Sequence, residues 1–185
     1  MDAATAPRLE DWLDAAHVRT HHRRTAAAAP DELWAAARAV RLQDTHALGH
    51  LVHWRIPGIE PHETFHRMFR AYPFTLLDEG ETFSLSGLCG RIWTLARDYP
   101  RLAGAEDFRA WSEPGTVRVL FAHWVRPGAG DRAELISEAR VEPVDRAAAL
   151  RLRALWTVIG GFERLVGAEA LTVAARRAER GGRYY

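Results

Sequence analysis

The sequence predicts an α+β domain in which an antiparallel sheet packs against a long C-terminal helix. From residue 73 onward, apolar and polar side chains alternate with a period of two in four successive segments, 74–78, 83–93, 116–126 and 134–142. Turn-forming residues at 79–81 and 127–131 separate neighbouring segments. The chain then continues as one long, mostly apolar segment, 144–180, with helical spacing. Such a helix buries one face of the sheet, and a curved sheet beneath it encloses a cavity.

The first half of the chain predicts an edge strand followed by short helices. Residues 17–27 alternate but are polar on both faces, which is typical of an edge strand. Pro30 and the two acidic residues after it begin a helix, and residues 45–55 and 61–72 predict two further helical pieces. We expect Gly160 and Gly161 to kink or break the C-terminal helix.

Length and composition favour a single soluble domain. The chain has 185 residues, of which 48% are hydrophobic and 26% charged. We expect residues 1–16 to form an N-terminal arm, residues 17–180 to form the domain, and residues 181–185 to form a C-terminal tail.

Charge and cysteine content exclude several classes of partner. The formal net charge is +1, and all 25 basic residues are arginines interspersed with acids, so we expect no nucleic-acid binding. Cys89 is the one cysteine, which excludes an intrachain disulfide; without a signal-peptide pattern, a cytoplasmic location is expected. No apolar run is long enough for a membrane span. We expect no cofactor, and either a monomer or a homodimer.

Four blocks of the sequence resemble a known superfamily. Residues 87–93 (GLCGRIW), 108–115 (FRAWSEPG) and 137–141 (SEARV), with Leu155 and Trp156, resemble motif blocks of bacterial proteins in the START-like SRPBCC superfamily. That superfamily includes polyketide cyclases, aromatases and lipid-transfer domains. The resemblance implies a helix-grip fold, an antiparallel curved sheet wrapped on a long C-terminal helix with an internal cavity. It implies a hydrophobic or aromatic small-molecule ligand, and the blocks carry no catalytic signature.

The segment 116–126 carries one histidine on an otherwise apolar face. The side chains that share this face are Val117, Val119, Phe121, His123 and Val125. Because Arg118 and Arg126 end the opposite face, we expect that face to meet solvent and His123 to point into the cavity. There it could act as a catalytic acid or base, and a hydrogen-bonded core histidine is the alternative.

Further candidates come from the neighbouring segments. Strict alternation over 83–93 would turn Arg91 inward, where its guanidinium could hold a ligand carboxylate or phenolate. A salt bridge to Glu138, or simple exposure, is the alternative because a buried unpaired arginine is costly. The predicted ligand-binding residues are Trp93, Phe121, Ser137, Leu155, Trp156 and Ile159.

A histidine-rich segment supplies the alternative function. His62, Glu63 and His66 match H-E-x-x-H, in which two histidines one helical turn apart bind zinc and the glutamate activates water. Pro61 places the motif at the start of a helix, and no clear third ligand follows. We therefore favour exposed histidines over a metal site, with a zinc-dependent hydrolase as the alternative.

The sequence leaves two versions of the favoured function open. One is a protein that holds a hydrophobic or aromatic molecule without chemistry. The other is a polyketide cyclase- or aromatase-like enzyme in which His123, Arg91 and Ser137 steer an enolate or phenolate.

Overall fold

The fold is described by a computed structural model over residues 6–55, 59–94, 99–166 and 168–181. Within these ranges, the side chains of residues 51, 53–55, 158, 159 and 161–166 are outside the description. The strands are β1 (Val18–Ala26), β2 (Thr75–Glu79), β3 (Phe83–Gly90), β4 (Val117–Pro127) and β5 (Ala133–Pro143). The helices are α1 (Pro30–Arg38), α2 (Ala47–Arg55), α3 (Phe65–Met68), α4 (Ala105–Ala110), α5 (Arg146–Val166) and α6 (Glu169–Gly181).

The five strands form one antiparallel sheet in the order β1-β5-β4-β3-β2. The first strand therefore pairs with the last, and β1 lies at an edge as its polar sequence predicts. With the two C-terminal helices, this arrangement confirms the predicted α+β fold class.

The inner face of the sheet is the face that carries Val117, Val119, Phe121, His123 and Val125 of β4. Its buried core is completed by side chains from α1, α5 and α6, including Leu33, Trp34, Leu152 and Leu171. These are the apolar stripes that helical spacing predicts, and their burial supplies the main stabilisation of the sheet–helix contact.

The opposite, outer face of the sheet is also covered, so the expectation that it meets solvent is wrong. Leu120 and Ala122 of β4 are completely buried, in a second core with Phe108 of α4 and with Leu9 and Leu13 near the N-terminus. Apolar side chains between the two arginines of β4 required this cover, because exposing them would forfeit their burial energy.

A buried arginine fixes the N-terminal segment to the outer face. Arg140 of β5 is only 5% exposed. Its guanidinium donates to Glu138 at 2.6 Å, to Glu10 at 2.8 Å and to the carbonyl oxygen of Leu13 at 3.1 Å. Two carboxylates and a carbonyl offset the cost of desolvating the charge.

The C-terminal helical segment is divided at a different place from the one predicted. Helix α5 runs through Gly160 and ends at Val166, and α6 begins at Glu169. A Cβ atom at Gly160 would lie 3.0 Å from Nε1 of Trp156, so the glycine leaves space for the indole ring rather than ending the helix. No helix of the described residues is both long and apolar enough to cross a membrane.

Candidate functional site

A cavity of about 320 Å³ lies on the inner face of the sheet. Its lining consists of Val18, Thr20, Pro73, Phe74, Leu88, Ile92, Tyr99, Val119, Phe121, Ala139, Val141 and Trp156. The volume is near the lower end of the roughly 300–1,000 Å³ typical of small-molecule sites.

The strand register explains why these residues meet. Val119 pairs with Leu88 on one side and with Val141 on the other. In the next row Phe121 pairs with Ala139, which pairs with Thr20 of β1. Directly paired residues project to the same face, so two adjacent rows of apolar side chains form the floor of the cavity.

Half-buried Trp156 of α5 faces this floor, and Phe74 and Tyr99 also line the cavity. Apart from the indole N–H, the polar side-chain atoms of the described lining come from Thr20 and Tyr99. The cavity therefore favours an apolar ligand, and a hydroxyl group could find few partners within it.

His123 lies on the inner face but is not part of the cavity lining. It is two residues beyond Phe121, about 7 Å along the strand. The aromatic ring of Phe69 covers it, with ring centroids 4.9 Å apart. Burial, followed by repulsion from His66, lowers the pKa of His123 to about 4, so the imidazole is neutral near pH 7.

Phe69 contacts both His123 and the cavity wall. Its ring centroid lies 4.9 Å from that of Phe74 and 5.1 Å from that of Phe121, both of which line the cavity. Phe74 and Phe121 also contact each other edge to face, with centroids 5.5 Å apart. The three rings form a close-packed cluster, and Phe69 links the cavity wall to His123.

Behind Phe69, two serines share a row with His123. His123 pairs with Ser84 of β3 and with Ser137 of β5. Ser84 is 5% exposed, whereas Ser137 is half-buried. Among the described residues, the His123 imidazole has no hydrogen-bond partner. Ser137 thus lies beside His123 and outside the cavity lining, in contrast to the wall position that the sequence suggested.

Arg91 is outside the site, and its predicted inward orientation is wrong. Strand β3 ends at Gly90, whose φ of +134° breaks the alternation before Arg91 is reached. The Arg91 side chain is 55% exposed and its guanidinium lies 3.9 Å from Glu113. Glu138, the partner considered from the sequence, is instead bound by Arg140.

Of the other predicted ligand-binding residues, some line the cavity and some do not. Phe121 and Trp156 line the cavity. Trp93 packs beside the inner core, with the guanidinium carbon of Arg151 at 5.9 Å from its ring centroid, and is not a lining residue. Leu155 is half-buried and also lies outside the lining, and the side chain of Ile159 is outside the described residues.

The H-E-x-x-H segment does not adopt the geometry of a zinc helix. Helix α3 begins only at Phe65, after Thr64 caps it by accepting from the backbone N–H of Arg67 at 3.2 Å. His62 is exposed and lies before the helix, and Glu63 contacts Arg67 at 3.4 Å. Within the described ranges, no group of three or more His, Cys, Asp or Glu side chains could hold a metal ion. The zinc-hydrolase alternative is not supported.

His66 instead belongs to an open, charged basin on the surface. The basin is lined by Arg38, His66, Arg67, Arg70, Glu79, Gly80 and Glu81. Nε2 of His66 lies 3.5 Å from a carboxylate oxygen of Glu79, which also pairs with Arg70. Burial and repulsion by Arg38 lower the pKa of His66. Because the basin is open and its arginines lie beside glutamates, we interpret it as a charged surface in contact with water.

Cys89 has no access to a ligand. It is completely buried on the outer face, and burial raises the pKa of its thiol to about 12. A thiolate nucleophile is therefore not part of this site.

Sequence reasoning missed several lining residues, notably Thr20, Phe74 and Tyr99, together with Phe69 beside them. The alternation of β1 could have predicted Thr20, because Val18 and Thr20 project to one face of the strand. In the sheet they pair with Val141 and Ala139, which also line the cavity. Phe69 follows α3 and Tyr99 follows β3, where no periodic pattern indicates direction.

No family model and no curated protein matches this chain. The solved structures that are similar at low identity include the following three. A hypothetical protein from Helicobacter pylori is 12% identical, with 96% of this chain and 97% of that chain covered and a TM-score of 0.40. A protein from Thermus thermophilus is 10% identical, with 89% and 99% covered and a TM-score of 0.33. The Zhui aromatase/cyclase from Streptomyces sp. R1128 is 14% identical, with 90% and 96% covered and a TM-score of 0.32. At TM-scores this low, the likeness carries no argument about what this chain binds.

Proposed function

We propose that the chain binds a small hydrophobic or aromatic molecule in the cavity on the inner face of its sheet. The observation that carries the proposal is the cavity of about 320 Å³ with its apolar lining, formed by two rows of the sheet beneath Trp156. A volume of this size suits a molecule of one or two rings better than a long acyl chain.

The energetics of such a ligand follow from the area it buries. A two-ring hydrocarbon that buries about 200 Å² of apolar surface gains about 5 kcal/mol, so we expect a dissociation constant on the order of 0.1–1 mM. Aromatic side chains in the wall favour flat ligands, because offset and edge-to-face contacts add to the burial energy.

A cyclase- or aromatase-like enzyme is the catalytic version of the same proposal. It would depend on the neutral imidazole of His123, which is suited to proton transfer near pH 7. The binding version has more support, because Phe69 lies against the His123 ring and His123 is not among the residues that line the cavity.

The proposal is tested by filling the cavity. Ala139 lines the cavity between Phe121 and Thr20, so Ala139→Leu adds three carbon atoms to the ligand space. In equilibrium dialysis with naphthalene, the wild type should bind one molecule per chain and Ala139→Leu should lose at least tenfold in affinity. Ala147→Leu, at an exposed helix position, is the matched control and should bind like the wild type.

Two results would contradict the proposal. One is the absence of saturable naphthalene binding to the folded wild-type protein. The other is equal affinity of Ala139→Leu and wild type, which would place the ligand elsewhere.

A further inference from the structure

A polar row lies next to the apolar cavity and has no partner for its central group. Ser84, His123 and Ser137 are paired across three neighbouring strands, so their side chains share the inner face. Among the described residues, His123 has no hydrogen-bond partner although Phe69 packs against its ring. His123 is half-buried, so an imidazole without a partner in the described protein is free to bind a polar group of a ligand.

One side chain, Phe69, contacts both the row and the cavity wall. Phe69 contacts the cavity-lining rings of Phe74 and Phe121 on one side and the His123 ring on the other, all with centroids about 5 Å apart. Phe69 is the residue after the short helix α3, and it is half-buried. A rotation of its ring would therefore join the apolar cavity to the polar row without moving a strand.

We infer that Ser84, His123 and Ser137 form a polar subsite for a hydroxyl or carbonyl group of the ligand, and that Phe69 controls access to it. This inference rests on the proposed function, since it gives the ligand of the apolar cavity a polar end. The ligand class is then an aromatic molecule of one or two rings with a hydroxyl or carbonyl group at one end. A neutral imidazole flanked by hydroxyls can both donate to and accept from such a group.

The energetics make the presence of the subsite measurable. A hydroxyl group transferred from water into a cavity without a partner loses affinity, because its hydrogen bonds to water are not replaced. A hydroxyl that reaches the subsite gains roughly one hydrogen bond, or about a tenfold increase in affinity. The ratio of the dissociation constants of naphthalene and 2-naphthol therefore reports on the subsite, whereas naphthalene alone reports on the cavity.

The experiment measures this ratio by equilibrium dialysis near pH 7. We expect the wild type to bind 2-naphthol about tenfold more tightly than naphthalene. His123→Phe should abolish this gain while naphthalene still binds, and Ser137→Ala, a milder change, should reduce it. Phe69→Ala should increase the gain. His21→Phe is the matched control, because His21 is exposed on the edge strand β1 and should leave the ratio unchanged.

Each outcome decides between the inference and its rivals. If naphthalene does not bind the wild type, the proposed function itself fails and the inference fails with it. If naphthalene binds but 2-naphthol binds no more tightly, the cavity stands and the subsite is wrong. If Thr20→Val removes the gain and neither His123→Phe nor Ser137→Ala does, the hydroxyl is bound within the cavity lining and the subsite is wrong.

Discussion

The protonation of His123 should make the stability of this protein depend on pH in a way that one substitution removes. Burial and the nearby His66 lower the pKa of His123 from 6.5 to about 4. The folded protein therefore keeps the imidazole neutral down to about pH 4, whereas the unfolded chain takes up a proton as pH falls below about 6.5. The contribution of His123 to the free energy of unfolding is therefore fully present above pH 6.5. It is lost as pH falls from 6.5 to 4, because the unfolded chain binds the proton first.

The size of the effect follows from these two pKa values. Relative to pH 8, the free energy of unfolding should fall through His123 alone by about 1 kcal/mol at pH 6, about 2 kcal/mol at pH 5 and about 3 kcal/mol at pH 4. His123→Phe abolishes this dependence, and phenylalanine suits a site that packs against Phe69. The variant therefore shows a flatter dependence of the free energy of unfolding on pH, and any change in packing adds only an offset that does not vary with pH.

Urea unfolding at several pH values, followed by circular dichroism, measures the difference between wild type and His123→Phe. The pKa of His66 is also lowered, chiefly by burial and then by Arg38, so both proteins lose stability through that residue. The difference between the two curves isolates His123. A difference that changes by less than about 1 kcal/mol from pH 7 to pH 5 would refute the lowered pKa of His123.

Two further predictions test the packing of each face of the sheet. Gly87→Ala would place a methyl group 2.6 Å from Cδ2 of buried Phe108, so it should lower the free energy of unfolding by about 1–3 kcal/mol. Gly104→Ala has no atom within 4 Å and is its control in the same thermal unfolding assay; equal stability of the two would argue against the outer core. Gly160→Ala places a methyl group 3.0 Å from Nε1 of Trp156 and should displace the indole, which lowers naphthalene affinity, while stability stays within about 1 kcal/mol because alanine favours the helix. Unchanged affinity in that variant would show that Trp156 does not form the cavity wall.

The strands of the second half could be predicted closely because their signal is local. The segments predicted at 116–126 and 134–142 differ by one residue at each end from β4 and β5. One face of each strand is apolar at almost every second residue, and the turn between them is rich in glycine. Period-two alternation assigns residues to one of two faces, but it does not say what covers either face.

The cover of the outer face is the clearest example of that limit. Arg118 and Arg126 suggested a solvent-facing surface, yet Arg118 is paired with Glu142 and Arg126 with Glu134 on the neighbouring strand. The charges are satisfied within the sheet itself, so they do not indicate that the face between them is exposed. The cover comes from segments distant in sequence, and their contact with the sheet is a tertiary effect.

The cavity could be predicted in kind but not in detail. The chain order of sheet and closing helices indicated a cavity, and Phe121 and Trp156 were identified as parts of its wall. Arg91 was misplaced because alternation was extended past Gly90, where the strand ends. The position of Phe69 could not be predicted from the sequence, because the direction of a side chain just after a four-residue helix is set by tertiary packing.

The central claim is that a ligand occupies the inner face of the sheet, and methyl NMR tests it most directly. In a sample with labelled Val, Leu and Ile methyl groups, naphthalene should shift the signals of Leu88, Val119 and Val141, which line the cavity. The signals of Leu120 and Ile136, buried in the outer core, should stay in place. Saturable shifts at the outer core or at surface methyl groups, with the cavity signals unmoved, would contradict the account.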